Sequence, residues 1–163
     1  MKYFLIFICI NVSLITNAQQ YQLEGNKVVI SMPVTFIGNT SVLTDDGKAA
    51  VLIIKQYLND KKYISLLRIE SNVVPNKPSI NAQSLSAQRA LAVYETLVNA
   101  GVSCKRLIPV AFGDTKPLVA ITTPNNNDKN TYIQFVNVSI NNRVIGGLPI
   151  DGGGVIVPIT CTD

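Results

Sequence analysis

The chain has 163 residues and a formal net charge of +4, so it is long enough for one domain with a substantial core and is only mildly basic. It contains no histidine, which excludes Ser-His and Cys-His nucleophiles and the usual histidine metal sites. Its lysines and arginines form no run and are not interleaved with aromatic residues, so we expect no nucleic-acid partner. No residue pattern nominates a catalytic site, and we expect no cofactor and no metal.

Residues 1–18 have the pattern of a secretory signal peptide. Lys2 supplies a positive charge, residues 4–15 form an apolar run, and small residues lead to Ala18 at the expected cleavage position. The run is too short, and too interrupted by polar residues, for a membrane-spanning helix. We therefore expect an exported protein whose mature chain begins near Gln19 and does not itself span a membrane.

The first half of the mature chain predicts a strand, a helix and a second strand. Residues 27–37 are rich in β-branched and aromatic residues, which favours a strand, and Pro33 indicates a strand edge or a bulge. Residues 19–26 read as a polar lead before this strand. Thr44 is typical of a helix N-cap and precedes a helix that extends to about Asn59. Residues 63–70 then predict the second strand.

Residues 81–101 give the clearest helical pattern of the sequence. Asn81 or Ser84 is suited to cap the start of this helix, and Gly101 is suited to end it. Arg89 falls in the middle of the apolar arc, about one turn from its apolar neighbours. An arginine at such a position either extends to solvent or meets an anion, and the pattern leaves both interpretations open.

Two further strands are predicted at residues 106–112 and 131–140. After residue 142 the sequence becomes rich in glycine, which predicts either a flexible tail or one extra strand on the sheet. The expected fold class is α/β, an α+β sandwich of order β-α-β-α-β-β, with two helices packed on one face of a mixed sheet. The expected divisions are a signal peptide over residues 1–18, a domain over 19–142 and a glycine-rich tail over 143–163.

Cys104 and Cys161 are the two cysteines of the expected mature chain. An oxidising compartment would let them pair, and the alternative is two free thiols. The sequence leaves the choice open, because a disulfide also requires suitable geometry.

Several motifs, taken in order, resemble the OmpA-like carboxy-terminal domain over about residues 28–140. The strongest covers residues 85–90 (LSAQRA), which resemble the family's Leu-Ser-x-x-Arg-Ala helix, and it is followed by Gly101-Val102 at the helix end. Residues 34–36 resemble the family's first strand, and residues 113–117 resemble its glycine-to-proline turn. Asn130 and Ile133 are similar to the start of its last strand. This domain is shared by outer-membrane proteins, peptidoglycan-associated lipoproteins and flagellar stator proteins.

The resemblance implies binding of the peptidoglycan peptide stem through its diaminopimelate residue. In the family a helix arginine takes the carboxylate of this residue, and Arg89 stands at that position. The family's aspartate, which takes the ammonium, is absent, because residues 71–74 read SNVV and no aspartate lies between Asp60 and Asp114. The paired arginines of the family's last strand are replaced by Thr131 and Tyr132.

An ammonium left without its partner costs about 1–3 kcal/mol, which corresponds to about ten- to a hundredfold in affinity. Asn72 offers only a neutral carbonyl in place of the aspartate, and Glu70 could replace it only after a shift in register. The ligand-binding residues that we expect are Arg89, Asn72, Glu70, Ser86 and Asn130.

Two hypotheses follow from this partial match. The first is a non-enzymatic periplasmic domain that binds peptidoglycan weakly through Arg89 and is associated with the outer membrane through a partner. The second is a protein-interaction or structural module that keeps the fold, has lost diaminopimelate binding and contacts another envelope protein.

Overall fold

The structure is a computed structural model that describes residues 20–120, 127–146 and 153–162. The expected signal peptide, residues 1–18, lies outside the described residues, as does part of the glycine-rich segment. Throughout the described ranges, no helix is long and apolar enough to cross a lipid bilayer.

Helix α1 (Asp45–Asp60) begins where the sequence predicts. Thr44 is its N-cap and accepts a hydrogen bond from the Gly47 backbone N–H at 2.9 Å. Asp45 and Asp46 occupy the first turn, where the helix dipole favours negative charge. The predicted N-cap is therefore confirmed. The buried face of the helix is formed by Gly47, Ala50, Val51, Ile53, Ile54, Tyr57 and Leu58.

Helix α2 (Ala82–Asn99) carries the predicted apolar arc. Of the two candidate caps, Asn81 is the one used, and its side-chain oxygen accepts from the Ser84 N–H at 2.8 Å. Val93 and Leu97 are fully buried on the face that turns toward the sheet. The position of this face fixes the direction in which Arg89 points.

Within the residues that the structure describes, seven strands form one mixed sheet in the order β1-β2-β5-β3-β4-β7, with β6 paired to β5. The β3–β4 pair is parallel and is joined through α2, whereas the other pairs are antiparallel. Both helices lie on one face, where Leu67 and Ile69 of β3 pack in the same core cluster as the apolar residues of α2. This arrangement confirms the expected fold class. The strands are β1 (Tyr21–Glu24), β2 (Lys27–Ile30), β3 (Ile64–Asn72), β4 (Leu107–Gly113), β5 (Tyr132–Ile140), β6 (Arg143–Val144) and β7 (Val155–Ile156).

The amino-terminal strands differ from the prediction. The segment expected as a polar lead contains β1, which pairs with β2 across a two-residue loop in which Gly25 has φ of 60°. The strand expected over residues 27–37 ends at Ile30, and Phe36 forms only an isolated bridge with Leu43. Pro33, which lacks the N–H that a continued ladder requires, lies three residues beyond the end of β2.

The segment after residue 142 adds two short strands to the sheet. Asn141 and Asn142 have φ of 47° and 63°, as in a type I′ hairpin turn, and connect β5 to β6. Strand β7 pairs antiparallel with β4. A disulfide joins Cys104 to Cys161, with 5.6 Å between their Cα atoms, and holds the chain beyond β7 near the start of β4.

Candidate functional site

Arg89 is buried at the amino-terminal half of α2, with 5% of its surface exposed. Its Nε donates to the Thr40 carbonyl at 2.9 Å, and its Nη2 donates to the Gly38 carbonyl at 2.7 Å. The guanidinium carbon lies 4.6 Å from the centre of the Phe36 ring, within the range of a cation–π contact. Burial lowers the pKa of Arg89 below its ordinary value.

These contacts surround the Arg89 guanidinium with partial negative charges but supply no formal counter-ion. Within the described ranges, Arg89 makes no ion pair with a carboxylate, and its hydrogen bonds use Nε and Nη2 but not Nη1. A buried cation held by two carbonyl oxygens and one aromatic ring is under-compensated, because a formal opposite charge would offset its desolvation far better. The guanidinium is therefore suited to accept an anion from outside the protein.

A cavity of about 200 Å³ lies directly beside Arg89. Its lining includes Val34 and Phe36 from the segment after β2, together with Tyr132, the first residue of β5, and Thr131 just before it. Arg89 is the only charged residue among the described residues that line it. The cavity thus combines one positive charge with apolar and hydroxyl-bearing walls.

Glu70 is fully buried and lies outside the lining of this cavity. It forms ion pairs with Arg68 and with Lys116, the latter at 2.6 Å. Each carboxylate oxygen already faces a cation, so the structure does not bring Glu70 to the position of a free ammonium acceptor. Its charge also acts on Tyr132, whose pKa is raised to about 12, first by burial and then by the neighbouring carboxylate.

Asn72 and Asn130 use their amide groups to hold the loop that follows β4. The Asn72 Nδ2 donates to the Asn130 carbonyl at 2.5 Å, and its Oδ1 accepts from the Lys116 N–H at 3.0 Å. The Asn130 Oδ1 accepts from the N–H groups of Leu118 and Val119 at 2.7 and 3.0 Å. Both residues are buried and neither is among the described residues that line the cavity. Their expected contact with a ligand stays a prediction.

Ser86 fixes α2 against the ends of two strands. Its Oγ donates to the Ser71 carbonyl at 2.7 Å and accepts from the N–H groups of Phe112 and Gly113 at 3.1 and 3.2 Å. Ser86 lies one turn before Arg89, so these bonds set the depth at which the arginine enters the site. The structure places Ser86 in a positioning role.

Val74 stands where the resemblance predicts the family's aspartate. Val74 is half-buried, its N–H donates to the Thr131 Oγ1 at 3.1 Å, and the same hydroxyl lies 3.3 Å from the Val74 carbonyl. Thr131 lines the cavity, whereas Val74 contacts Thr131 from outside that lining. Sequence reasoning missed the Arg89 partners in residues 36–40, and only the motif at residues 34–36 pointed to that segment.

The fold and this cavity together define an α/β domain in which the second helix presents a buried arginine to a small open cavity. The chain belongs to the OmpA family, whose sequence profile matches residues 35–131. No curated protein sequence matches the chain.

Solved structures with the same fold include three bacterial domains. A putative MotB-like protein from Desulfovibrio vulgaris has a TM-score of 0.61 and 20% identity, over 71% of this chain and 78% of that chain. The periplasmic domain of Helicobacter pylori MotB has a TM-score of 0.58 and 16% identity, also over 71% and 78%. The OmpA-like domain of FopA1 from Francisella tularensis has a TM-score of 0.53 and 20% identity, over 74% and 79%. At these identities the likeness establishes the fold.

Proposed function

We propose that this protein is a non-enzymatic periplasmic domain that associates with the cell wall, and that Arg89 binds a carboxylate of the peptidoglycan peptide stem. The observation that carries the proposal is a buried guanidinium beside an open cavity, without a carboxylate partner among the described residues. A ligand carboxylate there would gain a charge-assisted hydrogen bond, worth about 1.5–3 kcal/mol. Membership of the OmpA family supports the wall-associated assignment.

The same cavity offers little to the ammonium of a diaminopimelate. Its described lining contains no acid, and the nearby Glu70 is occupied by Arg68 and Lys116. An unpaired ammonium would lower affinity by about ten- to a hundredfold. We therefore expect weak binding to sacculi, in which the carboxylate contributes most of the specificity.

A second candidate function is an OmpA-fold interaction module in which Arg89 has only a structural role. Two of the three nitrogens of Arg89 already tie α2 to the loop at residues 38–40, which favours this alternative. Distinguishing the two roles requires a control arginine with similar structural bonds and no cavity.

Arg106 provides this control. Its Nε donates to the Ile64 carbonyl at 3.1 Å, and its Nη2 donates to the carbonyls of Leu58 and Ile64 at 3.0 and 2.9 Å. Burial lowers its pKa, as it does for Arg89. Arg106 is not among the residues that line the 200 Å³ cavity.

The test is a co-sedimentation assay with purified sacculi. It is performed under conditions in which circular dichroism shows that all variants are folded. We expect Arg89→Ala to abolish binding, Arg106→Ala to bind like the parent protein, and Arg89→Lys to retain a small fraction. Tight binding by the parent protein that persists in Arg89→Ala would refute the proposal. Equal losses in both alanine variants would support the structural module instead.

A gain-of-function variant tests the missing ammonium partner. Val74→Asp introduces a carboxylate at a residue whose backbone bonds to Thr131, a lining residue of the cavity, and should strengthen sacculus binding by up to the ten- to hundredfold that the unpaired ammonium costs. The matched control is Val74→Asn, which has nearly the same shape without the charge. If the two variants bind alike, the ammonium does not lie at this position.

A further inference from the structure

A second and larger cavity, of about 450 Å³, lies between β5 and the segment that continues β2. It shares Val34 and Tyr132 with the Arg89 cavity, so the two adjoin. Its volume is within the range of typical ligand sites. The larger cavity and the Arg89 cavity therefore form one groove, which we call the β2–β5 groove. Arg89 lies at one end of it, and Glu24 and Lys27, whose charges are opposite, also line the larger cavity.

The groove arises because a strand pair stops early. The β2–β5 ladder ends at the pair Val28–Phe135, although both chains continue beyond it. The Asn137 N–H donates to the Asn26 carbonyl at 2.8 Å, which marks one hydrogen-bonding position of this ladder. Such positions recur every second residue in an antiparallel pair, so Val28–Phe135 is the following one. The next such pair would join Ile30 to Ile133, and the structure does not form it.

The backbone groups of Ile30 and Ile133 therefore face the groove. The backbone N–H and C=O of Ile30 point away from β1. The Glu24–Lys27 pair closes the hairpin and is a hydrogen-bonded pair, so the alternation of the ladder makes Tyr21–Ile30 a non-hydrogen-bonded pair. The side chains of both isoleucines pack against the core, which gives the groove an apolar floor. In addition, the Nε2 of Gln134, which lines the groove, is buried and has no hydrogen-bond partner among the described residues.

We propose that the β2–β5 groove binds the carboxyl-terminal segment of a partner polypeptide as an added strand, with the terminal carboxylate on Arg89. Strand addition supplies backbone donors and acceptors to unpaired strand groups, and a terminal carboxylate is a natural end group for such sites. The charge at the end of the groove is positive and lacks a carboxylate within the described residues, which selects a peptide that ends in an anion.

The geometry also sets the direction and length of the bound segment. Arg89 adjoins Tyr132, the first residue of β5, so a peptide that ends there runs antiparallel to β5 and parallel to β2. Three residues of β5, from Tyr132 to Gln134, border the groove before the paired Val28–Phe135 position, so about three peptide residues are accommodated and the chain before them leaves the plane of the sheet. A regular ladder with β5 requires a peptide of α-linked L-residues, because only these repeat the backbone geometry of a pleated strand at every position.

This inference goes beyond the proposed wall association, although both use Arg89. The probe is the L-peptide N-acetyl-Val-Thr-Val-Thr-Val with a free carboxylate, whose β-branched residues favour a strand. Its matched controls are the same peptide as a carboxyl-terminal amide and its all-D enantiomer. A soluble peptidoglycan stem peptide is tested in parallel.

The readout is amide hydrogen exchange, followed by NMR on the labelled protein. At a probe concentration ten times Kd, the amides of Ile30 and Ile133 should exchange about tenfold more slowly, since bound protein does not open the site. The amide peptide should bind about ten- to a hundredfold more weakly, and the D-peptide should give no protection. Absence of protection by the acid probe up to millimolar concentration, or equal protection by the amide or D-peptide, would overturn the inference.

The variant Ile133→Pro removes the N–H that faces the groove and leaves the β3–β5 ladder, which uses the neighbouring residues. It should lose peptide binding while acetate still shifts the signals around Arg89. If the variant does not fold, exchange at Ile30 and Ile133 in the parent protein remains decisive. Stem peptide that protects these two amides would overturn the choice of a polypeptide partner. If the stem peptide shifts only the NMR signals around Arg89 and the L-peptide gives no protection, strand binding in the groove is refuted and the proposed function stands.

Discussion

The disulfide between Cys104 and Cys161 is the covalent link most open to a quantitative test. It joins the 3₁₀ turn before β4 (Cys104–Arg106) to the chain just beyond β7. Next to this link, the Val157 N–H donates to the Pro109 carbonyl at 3.0 Å, and the Val157 side chain is buried. The perturbation is reduction of this disulfide in the parent protein. The double variant Cys104→Ala, Cys161→Ala lacks the disulfide under all conditions and serves as the comparison.

The magnitude follows from the length of the closed loop. The two cysteines are separated by 57 positions, for which the chain-entropy model gives about 4 kcal/mol of stabilisation. This is an upper figure, since a reduced chain that keeps some residual structure loses less. With a urea dependence of about 1–3 kcal/mol per molar, the unfolding midpoint should fall by roughly 1–4 M.

The assay is urea unfolding followed by circular dichroism, with and without dithiothreitol. The oxidised mature protein, which we expect to begin near Gln19 and to lack Cys9, should show no titratable thiol after denaturation, and its midpoint should fall on reduction. The double variant should unfold near the reduced midpoint and be insensitive to dithiothreitol. Two titratable thiols in the unreduced protein, or a midpoint that reduction does not change, would refute the reasoning.

Three further predictions concern the scaffold of the site and can be tested by urea unfolding. Ser86→Ala should lower the free energy of unfolding by about 2–4 kcal/mol, because its hydroxyl serves three buried backbone groups, whereas Ser84→Ala on the exposed side should change it by less than about 0.5 kcal/mol. Gly47→Ala should destabilise by at least about 1–3 kcal/mol, because an added Cβ overlaps the Thr35 carbonyl oxygen; a neutral result would show that α1 can shift away from that segment. Tyr132 has a pKa raised to about 12, so the folded state keeps a proton that the unfolded state releases near pH 10. Its contribution, about 3 kcal/mol at most, is complete below pH 10 and is lost as the pH rises through 12, and Tyr132→Phe should flatten this part of the stability profile.

The sequence by itself determined the local structure and the identity of the central arginine. The caps Thr44 and Asn81 bond to N–H groups three residues ahead, so they can be recognised in a short window of sequence. The apolar periodicity of α2 likewise placed Arg89 on the buried face before any contact was known. The alternation of strands and helices was sufficient to predict the fold class, because few connections satisfy it.

The weak local signals were the ones that sequence reasoning missed. Strands β1 and β7 are four and two residues long, and each is stabilised by pairing with a neighbour rather than by its own pattern. The two-residue turn with Gly25 was a usable hairpin signal. The strand expected over residues 27–37 ends at Ile30 in the structure, and the β2–β5 groove lies where the rest of that strand was expected to pair with β5.

The state of each site residue was decided only by tertiary structure. Arg89 bonds to Gly38 across 51 positions, and Asn72 bonds to Asn130 across 58, so no local window contains both partners. The sequence allowed Glu70 to replace the aspartate only after a shift, and in the structure its carboxylate is neutralised by Lys116, 46 positions away. A buried charge or amide must be satisfied by whatever group the fold brings to it, and that group is fixed by chain topology rather than by neighbouring residues. The sequence could therefore determine which side chains enter the site, and the tertiary structure decided which of them remain free to bind.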